Sequence, residues 1–288
     1  MLKTITKLFL IVFLLSFLML VLVAKVTDTA SSNFLLAFLG YFFLTLLTIK
    51  VFEQKLSAVS IVIILFASMF LMQSYTIYLC FVESLFSLPF LLIYCLGIIS
   101  AFSYLKLKRP TNILPFSLSC LLLVFMSFQG WDYWLNKINF GTFTGRVAAY
   151  NLPAKFESFD EQKNLITEND FQNKIVLLDF WHTRCGVCFQ KFPQVQAADD
   201  KYKNDSSVAI FAVDKPIEED KPNQAFEMIK ERGYSFHVVI AKDEDLPEKF
   251  GVKGYPTTFV IDRNGMIVYK GDIAGAVKMV DELKSNSR

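Results

Sequence analysis

The strongest constraint on the fold is the concentration of apolar residues in the first 130 positions. Five long apolar runs lie there, at roughly 8–24, 34–49, 56–81, 85–105 and 113–128. Each approaches or exceeds the ~17–25 residues that a helix needs to cross the hydrocarbon core of a bilayer. The sequence therefore predicts an α-helical membrane domain of about five transmembrane helices.

Charge divides the chain at the same place. Residues 1–130 hold eight Lys or Arg and three Asp or Glu, a net charge of +5, which leaves −3 for the rest of a chain with net charge +2. The second part has the composition of an ordinary soluble domain. Neither part has the basic excess of a nucleic-acid-binding protein, so we expect the lipid bilayer and no nucleic acid as a partner.

The loops between the runs predict their orientation. Cations precede the first run and separate the second from the third and the fourth from the fifth: Lys3, Lys7, Lys50, Lys55, Lys106, Lys108 and Arg109. The opposite loops carry only Lys25 among cations. Because positive loops stay cytoplasmic, the N-terminus is expected inside and everything after Gly130 outside the membrane. A cleaved signal peptide is the alternative for the first run, although Val23-Ala24-Lys25 is a poor cleavage site.

The most informative stretch of the second part is 174–193, KIVLLDFWHTRCGVCFQKFP. It indicates a strand, a sharp turn, and Cys185-Gly186-Val187-Cys188 opening a helix. Two such cysteines lie close enough for a disulfide, which needs Cα atoms about 4.4–6.8 Å apart. The first also lies among unpaired N–H groups at the positive end of the helix dipole. That setting favours the thiolate, the nucleophile of disulfide exchange.

A structural disulfide and half of a zinc site are the alternatives for this pair. Zinc takes about four ligands, and the soluble part offers only His182 and His237 besides the two cysteines. We therefore expect redox catalysis, with no metal and no bound cofactor beyond the redox-active disulfide Cys185–Cys188. Three further cysteines, Cys80, Cys95 and Cys120, lie in apolar runs, and helix packing explains them better than electron relay across the bilayer.

The predicted organisation is a multi-helix transmembrane domain at 1–134, a linker at 135–153 and an α/β domain at 154–288. Strand signals and helix signals alternate in the last part. Strands are predicted near 175–180, 208–213, 236–240, 257–261 and 266–269, with helices near 186–202, 223–232, 246–250 and 274–284. The order β-α-β-α-β-β-α, with a short extra helix before the last two strands, describes a central mixed sheet covered by helices on both faces.

The motifs of this part resemble the thioredoxin superfamily, and within it the TlpA/ResA-like membrane-anchored thiol-disulfide oxidoreductases. The residues that carry the resemblance are Asp179-Phe180-Trp181, Cys185-x-x-Cys188, Phe192-Pro193 and Gly254-Tyr255-Pro256-Thr257. It covers about residues 150–288 and implies a thioredoxin-like fold. The five-helix part has no counterpart in it.

The resemblance also implies roles for individual residues. Cys185 is the expected attacking thiol and Cys188 the resolving thiol. Pro256 is the expected cis proline, which places the Tyr255 backbone where a substrate strand can pair with it. Asp179 occupies the family's buried carboxylate position, and Trp181 is expected to pack beside the site. Trp181, Tyr255 and Thr257 are thus the substrate-binding candidates.

Three positions depart from the family's common patterns. Arg184 precedes the first cysteine where thioredoxin itself has tryptophan, the inner dipeptide is Gly186-Val187, and Lys191 stands where ResA-like members often have glutamate. These positions tune the redox potential, so the direction of electron flow stays open.

The expected function is that of a membrane-bound, extracytoplasmic enzyme that exchanges electrons with protein cysteine pairs. Its partners would be cysteine-containing exported proteins and an upstream membrane or periplasmic redox donor. The alternative is a transporter or redox sensor that uses the thioredoxin-like domain as a regulatory or binding module. That alternative predicts paired polar residues along an intramembrane pathway, and the apolar runs offer only scattered ones such as Gln73 and Ser74.

Overall fold

A computed structural model describes residues 2–26 and 30–286 of the chain. The chain divides into two compact units, Met1–Trp134 and Leu135–Arg288. The first is helical and the second is an α/β unit built on one sheet.

The first unit contains the five predicted apolar helices. Among the described residues, five helical segments are long and apolar enough to cross a membrane, at Leu2–Met19, Asn33–Phe52, Ala58–Leu79, Leu85–Lys106 and Leu114–Phe140. The helices themselves are α1 Leu2–Val26, α2 Ala30–Phe52, α3 Ala58–Leu79, the single turn α4 Phe81–Ser84, α5 Leu88–Lys106, α6 Leu114–Phe125 and α7 Trp131–Phe140. A 3₁₀ turn at Leu85–Ser87 precedes α5, and a π-helical turn at Met126–Gly130 joins α6 to α7.

Leucine and isoleucine side chains cover the outer surface of this helical unit. Leu14, Leu47, Ile63 and Leu121 are each 58–68% exposed. In water such a surface would be an extended apolar patch, whereas hydrocarbon solvates it without cost. The outward face of the helices therefore suits contact with lipid.

Small and hydroxyl-bearing residues lie inside the helical unit. A Cβ on Gly97 of α5 would come within 2.8 Å of the Phe38 carbonyl oxygen of α2, so a glycine is needed for this close helix contact. The Thr45 hydroxyl donates to the Tyr41 carbonyl of its own helix at 2.7 Å. The hydroxyls of Ser100 on α5 and Ser119 on α6 lie 3.0 Å apart. The hydroxyls of Thr45, Ser100 and Ser119 thus have partners within the protein.

The second unit is an eight-stranded mixed sheet in the order β1-β8-β7-β4-β5-β6-β2-β3. The strands β4, β5 and β6 are parallel, and the other pairings are antiparallel. The strands are β1 Arg146–Asn151, β2 Glu157–Phe159, β3 Leu165–Thr167, β4 Ile175–Trp181, β5 Val208–Asp214, β6 Val238–Ala241, β7 Thr257–Ile261 and β8 Met266–Gly271. The helices are α8 Gly186–Tyr202, α9 Gln224–Glu231, α10 Leu246–Lys249 and α11 Ile273–Ser285.

The central strand β4 separates two apolar cores. Every one of its residues is buried, as expected for a parallel strand covered on both faces. Ile175, Leu177 and Trp181 point into the core that contains α8, α9 and α11, together with both cysteines of the CGVC motif. Val176, Leu178 and Phe180 alternate with them and point into the opposite core, which contains Leu246 of α10. The predicted mixed sheet with helices on both faces is confirmed.

The sheet extends further than the sequence signals indicate. Strands β1, β2 and β3 precede the first predicted strand, and β1 lies in the segment 135–153 that was expected to be a linker. Asn151 of β1 pairs with Met266 of β8 at the edge of the sheet. Edge strands bury little side-chain surface, so β1 has no fully buried residue and lacks the apolar pattern by which β4 and β5 are recognised.

Candidate thiol-disulfide active site

The CGVC motif begins a helix directly after the central strand. Cys185 is the N-cap residue of α8, and its Sγ accepts the backbone N–H of Cys188 at 3.1 Å. The two cysteines are joined by a disulfide, with Cα atoms 5.2 Å apart. The sulfur of Cys185 therefore takes the place of a capping oxygen at the positive end of the helix dipole.

The two sulfurs differ in their access to solvent. Cys188 is fully buried, whereas Cys185 is 7% exposed, and the intervening Val187 is 54% exposed. Gly186 has no atom within 4 Å of the position that a Cβ would occupy. An incoming group can thus approach Cys185 from the side of Gly186 and Val187, while Cys188 lies beneath it.

The predicted cis-proline segment borders the end of β4. The peptide bond between Tyr255 and Pro256 is cis. Strand β7 starts at the next residue, Thr257, which pairs with Phe180 of β4 in antiparallel register. The Thr257 hydroxyl donates to the Gly254 carbonyl at 2.6 Å and so closes the turn. The register thereby places Pro256 next to Trp181, where the CGVC turn begins.

Asp179 lies in the middle of β4, where it is 1% exposed. Its Oδ1 accepts a hydrogen bond from the Thr258 hydroxyl at 2.6 Å, and the two residues are directly paired between β4 and β7. Burial raises the pKa of this carboxyl group to about 6, and the Thr258 hydrogen bond opposes the increase. Strand alternation places Asp179 on the same face as Leu177 and Trp181, facing the core that contains the cysteines.

Trp181 packs beside the cysteine pair as the resemblance implies. It is fully buried, and its ring meets the Phe192 ring of α8 edge to face at a centroid distance of 5.0 Å. Both rings belong to the apolar core that contains Cys185 and Cys188. The candidates Asp179, Trp181, Cys185 and Cys188 thus face one core.

Residues of the turn before Cys185 make contacts that the sequence does not signal. The Thr183 hydroxyl donates to Asp220 Oδ1 at 2.5 Å, which ties the turn to the loop after β5. The His182 ring packs edge to face on the Tyr255 ring at 4.9 Å, and its Nδ1 accepts the backbone N–H of Arg184 at 3.2 Å. His182 therefore connects the CGVC turn with the cis-proline segment.

A second buried carboxyl group lies at the carboxyl end of β5. Asp214 is 2% exposed and pairs with Trp181 across β4 and β5. The sequence did not single it out, although a polar residue ending the strand VAIFAVD is a usable signal. In α/β sheets, functional groups gather at the carboxyl ends of parallel strands.

Other charged and sulfur-containing residues have separate surroundings. Arg184 and Glu219 form an exposed ion pair at 3.4 Å, so the cation before Cys185 has a local partner. Cys80, Cys95 and Cys120 of the helical unit are free thiols. Within the described residues, no group of three or more His, Cys, Asp or Glu side chains is arranged to hold a metal ion.

Comparisons with known proteins identify relatives of this chain. The AhpC/TSA family model matches residues 149–270. The thiol-disulfide oxidoreductase ResA of Geobacillus thermodenitrificans is 30% identical over 148 residues, which are 51% of this chain and 80% of that protein. ResA of Geobacillus kaustophilus is 29% identical over 150 residues, 52% of this chain and 82% of the relative.

A solved structure of a thiol:disulfide interchange protein from a Bacteroides species covers 47% of this chain. It is 24% identical, 90% of its own chain is covered, and the TM-score is 0.41. The ResA relative that is 30% identical, with 80% of its length covered, leads to one assignment. The chain belongs to the ResA/TlpA-like thiol-disulfide oxidoreductases of the thioredoxin superfamily.

Proposed function

We propose that this chain is a membrane-bound enzyme whose CGVC site exchanges electrons with protein cysteine pairs on the extracytoplasmic side. The observation that carries the proposal is the Cys185–Cys188 disulfide at the first turn of α8. A sulfur at a helix N-terminus that accepts a backbone N–H is held where negative charge is favoured. Reduction of the disulfide leaves Cys185 there as the more acidic thiol.

The reaction consists of two exchanges at sulfur. The Cys185 thiolate attacks a substrate disulfide, a mixed disulfide forms, and the first substrate sulfur leaves with the electron pair. Cys188 then loses its proton and attacks Cys185 Sγ, which releases the second substrate sulfur and closes the enzyme disulfide. The substrate is reduced by two electrons and the cysteine pair is oxidised by two. The reverse sequence oxidises a substrate dithiol, so the same site serves either direction.

Asp179 is the proposed proton acceptor for Cys188. It lies on the same face of β4 as Trp181, which packs in the core that contains Cys188. A carboxyl group with a pKa of about 6 is mostly ionised at pH 7 and still binds a proton readily. The Thr258 hydroxyl hydrogen-bonds the same carboxylate and steadies its charged form.

The substrate is proposed to lie along the segment from Tyr255 to Thr257. This segment borders the carboxyl end of β4, and its cis peptide precedes the first residue of β7. The exposed Val187 offers an apolar contact beside Cys185. Exported proteins with cysteine pairs are the proposed substrates, and a membrane or periplasmic redox protein is the proposed source or acceptor of electrons. The disulfide itself carries the electrons, without a bound cofactor.

The proposed location follows from the helices and the loop charges. Five helical segments have the length and apolarity to cross a membrane. The last turn of α2 and the loop after it carry Lys50 and Lys55. The last turn of α5 and the loop after it carry Lys106, Lys108 and Arg109. Cytoplasmic positive loops then put the second unit on the extracytoplasmic side. The proposed domains are a membrane domain at 1–134, a connecting segment at 135–153, whose strand β1 joins the sheet, and the redox domain at 154–288.

The catalytic claim is tested by insulin reduction with dithiothreitol, using the full chain in detergent. Cys185→Ser is expected to abolish the activity, because no nucleophilic thiolate remains at the helix start. Cys120→Ser, a free thiol of the helical unit, is the matched control and should keep wild-type activity. Full activity in Cys185→Ser would eliminate the proposed mechanism.

The proposed topology is tested separately with a reporter that is active only outside the cytoplasm. Fused after residue 288, it should be active, and fused in the loop between α2 and α3 it should be silent. The opposite pattern would place the CGVC site in the cytoplasm and end the extracytoplasmic proposal.

A further inference from the structure

Asp214 is a buried acid that the proposed reaction does not yet use. It is the last residue of β5 and is 2% exposed. Its Oδ1 has no hydrogen-bond partner among the described residues. Burying a carboxyl group without a donor is costly in the charged form, so such a group normally serves a purpose or stays protonated.

The sheet register places Asp214 beside the active site. It is directly paired with Trp181 in the parallel β4–β5 ladder, and paired residues of a ladder project to the same face of the sheet. Ala212, two residues earlier in β5, is paired with Asp179 in the same way and belongs to the core that contains the cysteines. Asp179 and Asp214 therefore lie on one face, on neighbouring strands, facing the core that contains the disulfide.

Two further buried polar atoms near Asp214 also lack a partner within the described part of the chain. They are Nε1 of Trp181 and Oη of Tyr255. After burial and the charge of Glu248, the charge of Asp214 raises the pKa of the Tyr255 hydroxyl. Tyr255 precedes Pro256, which the β4–β7 register places next to Trp181, the ladder partner of Asp214. A carboxyl group, a phenol and an indole N–H without partners in the described part of the chain thus belong to neighbouring positions around the end of β4.

The surroundings of Asp179 and Asp214 give their carboxyl groups different pKa values. Asp179 accepts a hydrogen bond from Thr258, which favours its ionised form. Oδ1 of Asp214 receives no such bond from the described residues. Burial, together with the nearby Asp220 charge, raises the pKa of Asp214 to about 8. Lys215, the next residue, directs its ammonium to Glu248 at 2.5 Å. The other titratable neighbour of the turn, His182, has its pKa lowered by burial. Pairs of acids separated in this way are typical of divided acid and base roles.

We propose that Asp214 is the proton donor of the thiol–disulfide reaction, acting through the Tyr255 hydroxyl and solvent, while Asp179 is the proton acceptor. This inference rests on the proposed function. When Cys188 attacks Cys185, its proton passes to Asp179. The departing substrate sulfur keeps the electron pair of the broken bond and takes the proton that Asp214 supplies. Asp214 regains a proton from Asp179 or solvent before the next turnover, so charge and protons balance. Because it acts through other groups, Asp214 is a positioning residue rather than one that touches substrate.

The test is the pH dependence of disulfide reduction by the full reduced chain in lipid nanodiscs, measured under single-turnover conditions. A proton donor is lost as the pH rises through its pKa, and a proton acceptor is lost as the pH falls through its own. Wild-type rates should therefore decline both below about pH 6 and above about pH 8. Asp214→Asn should be slower by about tenfold at pH 7 and should lose only the alkaline decline.

Asp199→Asn is the matched control. Asp199 is a half-buried carboxyl group on α8 whose pKa is also raised by burial, and its removal should leave the profile unchanged. An unaltered profile in Asp214→Asn would overturn the inference, and so would an equal loss of rate at every pH. If Cys185→Ser retained activity, the proposed function itself would fail, whatever Asp214 does.

A measurement on the wild-type chain keeps the inference testable if Asp214→Asn does not fold. The infrared difference spectrum between oxidised and reduced protein should contain the carbonyl band of a protonated carboxylic acid that changes on reduction and disappears above about pH 8. A spectrum without such a band between pH 6 and 8 would contradict a proton held at Asp214.

Discussion

The hydroxyl of Thr258 donates a 2.6 Å hydrogen bond to Oδ1 of Asp179, from the strand next to the one that leads into the CGVC turn. Both residues are buried, and they are 79 positions apart in the chain. The bond favours the carboxylate over the carboxylic acid in a place where burial favours the acid. Burial has the larger effect on the pKa of Asp179, and the Thr258 bond partly offsets it.

Removing the Thr258 hydroxyl should shift the low-pH decline in the profile of activity against pH. Thr258→Val keeps the side-chain shape and deletes the hydroxyl, so the pKa of Asp179 should rise further and the decline of activity at low pH should start at higher pH. Unfolding at pH 8 should become easier by about 1–3 kcal/mol, because a buried carboxylate loses its partner. Insulin reduction from pH 5 to 9 measures the shift.

Thr258→Ser is the control, since it keeps a hydroxyl at the same place. Its profile should overlay the wild-type profile. If Thr258→Val and Thr258→Ser behaved alike, the hydrogen bond would have no part in setting the charge of Asp179.

Asp179→Asn should stabilise the second unit at high pH and not at low pH. The folded pKa of about 6 lies above the ordinary value of 3.8, so the folded protein binds this proton more tightly than the unfolded chain does. Stability is therefore lost as the pH rises from about 4 to about 6. Asparagine carries no charge, so the variant avoids this loss. Its free energy of unfolding should exceed that of the wild type by about 3 kcal/mol at pH 8 and be close to it at pH 4.

The measurement for Asp179→Asn is pulsed alkylation of Cys188 in the reduced full chain along a urea series. Cys188 is fully buried, so it reacts only when the fold around it opens. Equal urea midpoints for wild type and variant at pH 8 would show that the buried charge of Asp179 does not destabilise the fold. A larger increase in the urea midpoint at pH 4 than at pH 8 would contradict the predicted direction of the pH dependence.

Loss of the bond between Thr183 and Asp220 should loosen the turn before Cys185. Thr183 is 4% exposed, and its hydroxyl donates to Asp220 Oδ1 at 2.5 Å. Thr183→Val leaves that carboxylate oxygen without this donor, at a cost of about 1–3 kcal/mol. The N–H of Cys185, which donates to the His182 carbonyl at 3.0 Å, should then exchange with solvent at least about tenfold faster.

Hydrogen exchange of the segment from His182 to Cys185 checks this expectation, with Thr183→Ser as the variant that preserves the hydroxyl. Exchange that stays at the wild-type rate in Thr183→Val would mean that the loop after β5 does not hold the turn.

Truncating Phe192 should destabilise the core beneath the cysteines. The ring is fully buried and contacts the rings of Trp181 and Phe236, with centroid distances of 5.0 and 5.3 Å. Phe192→Ala should cost about 3–5 kcal/mol, because it deletes the ring and leaves a cavity. Val187→Ala, at an exposed position of the same helix, should stay within about 0.5 kcal/mol of wild type. Alkylation of Cys188 along a urea series measures the loss of stability in both variants. Similar losses in Phe192→Ala and Val187→Ala would show that the Phe192 ring does not support the core.

Local signals explain why much of the fold is predictable from the sequence. Helix α8 begins at Gly186 and ends at Tyr202 as the sequence predicts, because the Cys185 cap and the apolar spacing are short-range features. Strand β7 is likewise recovered at Thr257–Ile261, as a β-branched run between a proline turn and the turn before β8. The apolar helices are predictable from length and hydropathy alone.

What the sequence could not show depends on pairing between distant segments. The contact of Asp179 with Thr258 and the neighbourhood of Asp214 and Trp181 follow from strand register, which no local pattern fixes at these buried strands. Strands β2 and β3 have three residues each, too few for a period to be recognised. The contact of His182 with Tyr255 needs the CGVC turn and the cis-proline segment to meet in space.

The most direct test of the account is to trap its covalent intermediate in cells. In Cys188→Ser the resolving thiol is gone, so Cys185 should remain joined to its substrates as mixed disulfides. The proteins captured in these complexes should be exported proteins with cysteine pairs. The complexes should dissociate with dithiothreitol, and they should be absent from the variant that also carries Cys185→Ser. The account would be contradicted if Cys188→Ser formed no such complexes, or if they formed equally well without Cys185.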